Sequence, residues 1–183
     1  MIQSKDKRSE RIFVTVPELV NHVDNGLVWV RGRVHTSRAK GKQCFLILRQ
    51  QSSTIQCILA VNDIISKQMV KFTENIPKES IIDIQAKAVS VPNKIESCTE
   101  QTVELCVEQV FVISQAKLQL PLQIEHASRP ENSEGLNIRI SQKTRLDNRV
   151  LDLRTPANQA IFRLHIQSQF NSTSQTLFYL SYT

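Results

Sequence analysis

The residues best equipped for chemistry in this chain are an aromatic, an amide and a carboxylate set among lysines and arginines. They are Phe45, Gln56 and Glu104, with Arg31, Arg33, Arg38, Lys40, Lys42 and Arg49 near them in the sequence. These are the groups that read unpaired bases. A ring stacks on any base for roughly 1–3 kcal/mol. An amide and a carboxylate can discriminate by hydrogen-bonding Watson–Crick edges, while Lys and Arg follow phosphates. Residue types alone leave other readings open: an exposed Phe beside Ile47 also fits beneath a loop or in a protein interface, and a basic face can be simply solvated.

Catalytic patterns are lacking. Gly26, Gly32, Gly41 and Gly135 are scattered singly, so no phosphate-cradling loop can be written. His22, His35, His126 and His165 are far apart, and His35 reads as an outward polar strand residue. Cys44, Cys57, Cys98 and Cys106 form no CxxC pair, and three of them fall in apolar strand patterns where a thiol packs as a small hydrophobe. No catalytic residue and no metal ligand set is assigned.

Alternation dictates which elements carry the first group. Val28, Val30 and Val34 share one side of a strand, with Gly32 in the row where a bend fits, and Trp29, Arg31, Arg33 and His35 share the other. In CFLILRQ, Cys44, Leu46 and Leu48 separate from Phe45, Ile47 and Arg49. The uncharged set takes the core, which places Phe45 on the outer, concave face. Ile55, Cys57 and Leu59 then turn Gln56 outward, and Val103, Leu105 and Val107 do the same for Glu104.

Strands are predicted near 27–36, 43–50, 53–60, 80–90 and 103–113, with Ile82, Ile84, Ala86 and Ala88 on the buried side of the fourth and Asp83, Gln85 and Lys87 on its exposed side. A helix is predicted near 66–75, capped by Ser66, with Met69 and Phe72 on one apolar side and Val70 beside them. Five strands with a helix before the fourth give a five-stranded OB-fold barrel whose helix plugs an open end, an all-β class with helical additions. The expected division is a disordered start over 1–11, the barrel over 12–114, a hinge over 115–142 marked by Pro121, Ser128, Pro130, Ser133 and Gly135, and a helical start of a further domain over 143–164. That start reads as a short basic helix over 144–153 with Leu146 and Val150 four apart, then Thr155 and Pro156 opening a helix that carries Ile161, Leu164 and Phe170. Residues 165–183, rich in Ser, Thr, Gln and Asn, read as a poorly ordered tail.

With 183 residues, 40% of them hydrophobic, the chain can build one domain plus a flanking segment. Its net charge of +6 favours an anionic partner. No apolar run long enough to span a bilayer exists, and MIQSKDKRSER lacks the apolar centre of a secretory signal, so the expectation is a cytoplasmic protein with reduced cysteines and no membrane partner.

RVHTSRAKGKQCFLILRQQ, followed by SKQMVKF, KESI, ASRPE, TRLDNRVLDLRT and NQAIFRL, resembles the eukaryotic cytosolic aspartyl-tRNA synthetases over roughly residues 1–164. RVH and the FLxLR strand are shared with the related asparagine and lysine enzymes; QMVKF together with RLDNRVLDLRT is far more specific. The resemblance implies an OB-fold that binds the tRNA(Asp) anticodon, a hinge, and an antiparallel-sheet catalytic domain. It implies that Phe45 stacks on an anticodon base and Gln56 bonds a base edge. It further implies that Arg38 meets the anticodon loop and that Ser97 and Glu104 close over it.

The family's Lys-rich extension is absent ahead of Met1, and from His165 onward the resemblance stops short of all three class II motifs. The chain therefore looks like a truncated or alternatively spliced product, catalytically inactive alone. It is expected to take no cofactor, ATP and Mg being expected only of a full-length member. Two other readings stand beside tRNA binding: a non-catalytic fragment that joins the full-length synthetase or a multi-synthetase complex, and a generic single-stranded nucleic-acid-binding OB-fold. Uncovered apolar faces over 143–183 would also fit an unstable chain.

Overall fold

The computed structural model describes residues 11–128 and 140–180, with side chains described through residue 171. The expected disordered start lies outside these residues except for Arg11, as do the hinge markers Pro130, Ser133 and Gly135. The chain forms two compact units that divide between Leu118 and Gln119.

The first unit is the expected barrel. Strands β1 (Leu27–Lys40), β2 (Gln43–Gln50), β3 (Ser53–Ala60), β4 (Ile81–Ser90) and β5 (Val103–Ser114) close in the order β1-β2-β3-β5-β4. Only the β3–β5 seam is parallel, and it is short: Gln56 lies opposite Glu104, Cys57 opposite Leu105 and Ile58 opposite Cys106. The inward sets named above are buried, Leu46, Leu48, Ile55, Leu59, Ile82, Ile84 and Leu105 completely so. Each such side chain contributes roughly 1.5–3 kcal/mol by leaving water. A 3-10 turn over Val16–His22 adds Val16 and Leu19 to this core, and Thr15 N–H donates to the Glu18 carboxylate at 3.0 Å at its start.

β1 serves two neighbours. Leu27 to Arg33 pairs with β4, and Arg33 to Lys40 pairs with β2. At the changeover the backbones crowd together: a Cβ on Gly32 would stand 2.6 Å from Leu48 Cγ and 2.9 Å from the Arg49 carbonyl oxygen. Just beyond, the register shifts. Val34 lies opposite Leu48 and Thr36 opposite Ile47, so His35 is the extra residue at the shift. One extra residue reverses the alternation. Arg38 therefore falls opposite Phe45, on the outward side.

Helix α1 (Lys67–Glu74) begins at Ser66, whose hydroxyl accepts from Met69 N–H at 3.2 Å. It packs on the β1–β2 end of the barrel, with Val70 in the core and Ser37 Oγ donating to the Glu74 carbonyl at 3.0 Å. Phe72 does not face the core; it is 53% exposed, and Thr73 is buried instead. Met69, Val70 and Thr73 form one helical face, and Thr73 is buried cheaply because its hydroxyl donates to the Met69 carbonyl at 2.9 Å.

Two further expectations about the first unit are corrected. Asp83 is not exposed: Arg31 Nε and Nη2 cover it at 2.6 and 2.8 Å. Cys106 packs in no core, since it points outward from β5, whereas Cys98 in the β4–β5 loop is buried with Cys44 and Cys57.

The second unit is helical: α2 (Ile124–Ala127), α3 (Gln142–Asp147), α4 (Arg149–Asp152) and α5 (Pro156–Leu180). Leu122, Ile124 and Ala127 are buried with Ile140 and Leu151 against them, so part of the expected hinge belongs to this core. The expected single basic helix is two, separated at Asn148, and Leu146 and Val150 are exposed. A buried carboxylate explains the turn. Asp152 accepts from Arg145 Nε at 2.7 Å, Arg149 Nη1 at 2.5 Å and Asn158 Nδ2 at 3.1 Å, so Asp152 rather than the two apolar residues faces inward. Thr155 Oγ1 donates to the Asp152 carbonyl at 2.8 Å, immediately before α5 begins at Pro156. Helix α5 runs from Pro156 through Leu180, a stretch in which no Gly or Pro follows Pro156.

Gly32→Ala is expected to destabilise the barrel by about 1–3 kcal/mol through overpacking. A shift of the urea midpoint with an unchanged slope would show this; an unchanged midpoint would mean that Leu48 yields freely.

Candidate nucleic-acid interface

The candidate site residues are assembled by register. Phe45 on β2 lies between Arg38 on β1 and Ile58 on β3. One row along, Thr36, Ile47, Gln56 and Glu104 run across β1, β2, β3 and β5. Phe45 is thus diagonal to Gln56, within reach of a long or aromatic side chain. Phe45, Gln56 and Glu104 are all half-buried, as side chains standing on an open sheet face should be.

Gln56 Nε2 donates to Glu104 Oε2 at 3.3 Å. This bond spans the parallel seam and orients both groups. It leaves the Gln56 carbonyl oxygen and the second Glu104 oxygen as further acceptors, alongside one remaining amide N–H. The face offers a ring, two acceptors and one donor, which is a discriminating surface for a splayed base. Beside it, Cys106 is opposite Ile58; partial burial and then the Glu104 carboxylate push its thiol pKa up, so it stays neutral.

The six cations near this face sort into two groups. Arg31 forms the fork with Asp83, Arg33 Nη1 donates to the Glu79 carbonyl at 3.2 Å, and Arg49 Nη2 meets Glu79 Oε1 at 2.6 Å. Arg38, Lys40 and Lys42 are exposed and have no ion pair among the described residues. They sit at the β1–β2 hairpin, where Gly41, with φ of +64°, allows the tight turn that puts Lys40 opposite Gln43.

Arg49 must therefore be removed from the candidate nucleic-acid-binding set. It is 8% exposed, and its guanidinium is committed to a buried carboxylate. Strand parity would have carried it outward beside Phe45. Glu79, in the α1–β4 connection, turns it in, and a fully charged guanidinium can be buried only against such a partner.

Ser97 lies exposed in the loop between β4 and β5, between Glu96 and buried Cys98. That loop is fastened to the start of β3. Thr54 N–H donates to Thr99 Oγ1 at 2.7 Å, Thr99 N–H to Thr54 Oγ1 at 2.9 Å, and Thr99 Oγ1 to the Thr54 carbonyl at 3.0 Å. Neither threonine was visible as a site residue, since they are 45 positions apart and nothing in either local pattern names a partner.

A second aromatic group occupies the β1–β4–β5 side of the barrel. The Arg11 guanidinium lies 4.2 Å above the Trp29 ring, with Phe13 and Phe111 at 6.3 and 5.8 Å. Trp29 is outward, as alternation predicts, but it is roofed by Arg11 and lies on the half of β1 that pairs with β4.

Residues 28–113 match the OB-fold nucleic acid binding domain of the tRNA anti-codon family. The chain is 55% identical over 166 residues to the cytoplasmic aspartate–tRNA ligase of Pongo abelii, an alignment covering 90% of this chain and 33% of that protein. Among solved structures, an aspartyl-tRNA synthetase from Leishmania major Friedlin superimposes with a TM-score of 0.82 at 38% identity, covering 90% of this chain and 32% of that one. The aspartyl-tRNA synthetase from Entamoeba histolytica gives a TM-score of 0.83 at 33% identity, covering 96% and 41%. The chain spans about a third of the length of the curated relatives it matches. No helix among the described residues is long and apolar enough to cross a membrane.

Because Arg49 is structural, Arg49→Leu is expected to lower stability by about 3 kcal/mol by removing a partner of buried Glu79. Chemical denaturation checks this. A variant with wild-type stability would return Arg49 to the surface set.

Proposed function

We propose that this chain carries the anticodon-binding OB domain of the aspartyl-tRNA synthetases, matching about a third of those proteins' length, and that it binds the anticodon loop of tRNA(Asp) in the cytoplasm. The observation that carries this reading is the single face on which Phe45, Gln56 and Glu104 stand, with three exposed cations at its edge that form no ion pair among the described residues.

Under it, Phe45 stacks on one splayed base, and the Gln56–Glu104 pair accepts hydrogen bonds from the edge of another. Ser97 closes over the loop from the β4–β5 side. Arg38, Lys40 and Lys42 track the phosphates of the anticodon strand.

A separate observation supports association with a full-length synthetase. Ile161, Leu164, Ile166 and Phe170 on α5 are each more than half exposed, an apolar load that a protein partner would cover. Co-purification with the full-length synthetase should then survive nuclease treatment; loss of the partner on nuclease treatment would leave shared tRNA as the only link.

For tRNA recognition, an anticodon stem-loop of tRNA(Asp) should bind at least tenfold more tightly than one with its anticodon replaced, at fixed salt. Equal binding would reduce the interaction to unspecific electrostatics and overturn the reading. Phe45→Ala should cost about 1–3 kcal/mol. Lys40→Ala and Lys42→Ala should each lower the slope of log affinity against log salt by about 0.7, the single-strand value per phosphate contact.

A further inference from the structure

Ser97 differs from the other recognition residues in standing on a loop of twelve residues, 91–102, rather than on a strand. A side chain on a mobile loop of this length would contribute little discrimination, because ordering it would consume much of the energy its contact supplies. This loop is held at every stage. Val91 N–H donates to the Thr102 carbonyl at 2.9 Å and Ile95 N–H to Gln101 at 3.0 Å, so its two arms are tied across. Cys98 N–H reaches the Ile95 carbonyl at 3.3 Å, and the Cys98 side chain is buried.

The arm after Ser97 is then bound to the barrel by the reciprocal threonine bonds and by Glu100 N–H donating to the Thr54 carbonyl at 3.1 Å. Thr54 stands two residues before Gln56, on the same side of β3. The β3–β5 ladder is not yet formed at that level; its first pair is Gln56 with Glu104. The threonine bonds continue the seam beyond its last backbone pair, and through them Ser97, two residues from Thr99, is held in a fixed relation to Gln56.

We propose that Thr54 and Thr99 form a positioning clamp that sets the β4–β5 loop in its binding-ready arrangement, and thereby determines how well the site distinguishes anticodons rather than how strongly it holds the tRNA backbone. The inference rests on the tRNA-binding reading above. The clamp touches no phosphate-binding cation: Arg38, Lys40 and Lys42 are on the β1–β2 hairpin. Losing it frees the loop and leaves the electrostatic component intact.

The test compares tRNA(Asp) anticodon stem-loop with an anticodon-replaced stem-loop, over a salt series, for wild type, Thr99→Val, Thr99→Ser and Thr54→Val. Thr99→Val keeps the shape and removes both hydroxyl bonds; its ratio of affinities should fall at least fivefold while the salt slope stays at the wild-type value. Thr99→Ser restores a hydroxyl and should recover the ratio. If Thr99→Val unfolds at the assay temperature, Thr54→Val, which removes the acceptor for Thr99 N–H and the hydroxyl contact to the Cys98 thiol but keeps both Thr99 hydroxyl bonds, carries the same comparison with a smaller loss expected. A wild-type ratio in either folded Val variant, or a Thr99→Ser ratio as low as that of Thr99→Val, would overturn the clamp. A wild type that fails to discriminate would overturn the functional reading itself, and the clamp with it.

Discussion

The barrel exists because one strand, β1, is shared between two partners, and the exchange happens within a single residue. Arg33 is paired to β4 on one side and to β2 on the other. Crowding there is relieved by the missing side chain of Gly32. The opening that a sharply coiled strand would leave is closed by Glu79. Its N–H donates to the Val34 carbonyl at 2.7 Å, its carbonyl accepts from Arg33, and its carboxylate holds Arg49. Glu79 does this with φ of 68°, in the left-handed region that a non-glycine residue enters at a cost of about 1 kcal/mol or more. Three contacts to two strands offset that cost. The closure made there brings the inward rows of the five strands into one core.

Legibility from sequence divides along this line. Properties that repeat with a strand's own period were visible: the inward sets of all five strands, the outward placement of Phe45, Gln56 and Glu104, and the cap at Ser66 depend only on near neighbours in the chain. What depended on a partner far along the chain was not. Arg49 reads as outward until Glu79, 30 residues away, is brought beside it. Cys98 sits in a loop with no periodicity, and only the folded loop shows that it is buried. Leu146 and Val150 have the spacing of a helical face, yet a carboxylate with three donors outcompetes them for the interior.

The register shift at His35 belongs to the same class. Alternation through the whole of β1 would put Ser37 and Ala39 outward with Trp29 and Arg31. One extra residue in the ladder reverses this, so that Arg38 stands opposite Phe45 while Ser37 turns toward α1. A basic hairpin and an aromatic platform that are separate in the strand pattern become one surface. β1 keeps its own aromatic, Trp29, on a different side under Arg11.

The β3–β5 seam has a mechanical consequence. It is the one parallel joint in the barrel, with pairs only at Gln56–Glu104, Cys57–Leu105 and Ile58–Cys106, and its side-chain bridge is the same amide–carboxylate pair that stands on the candidate binding face. A barrel that breathes will part first where its ladder is shortest. A base lodged against both Gln56 and Glu104 would act as a rivet across that joint, so that occupancy is felt by the whole cylinder as a loss of opening motion. Recognition and rigidity are thus coupled through one pair of side chains: the domain would be stiffest when it holds the right loop, and most compliant while it searches for it.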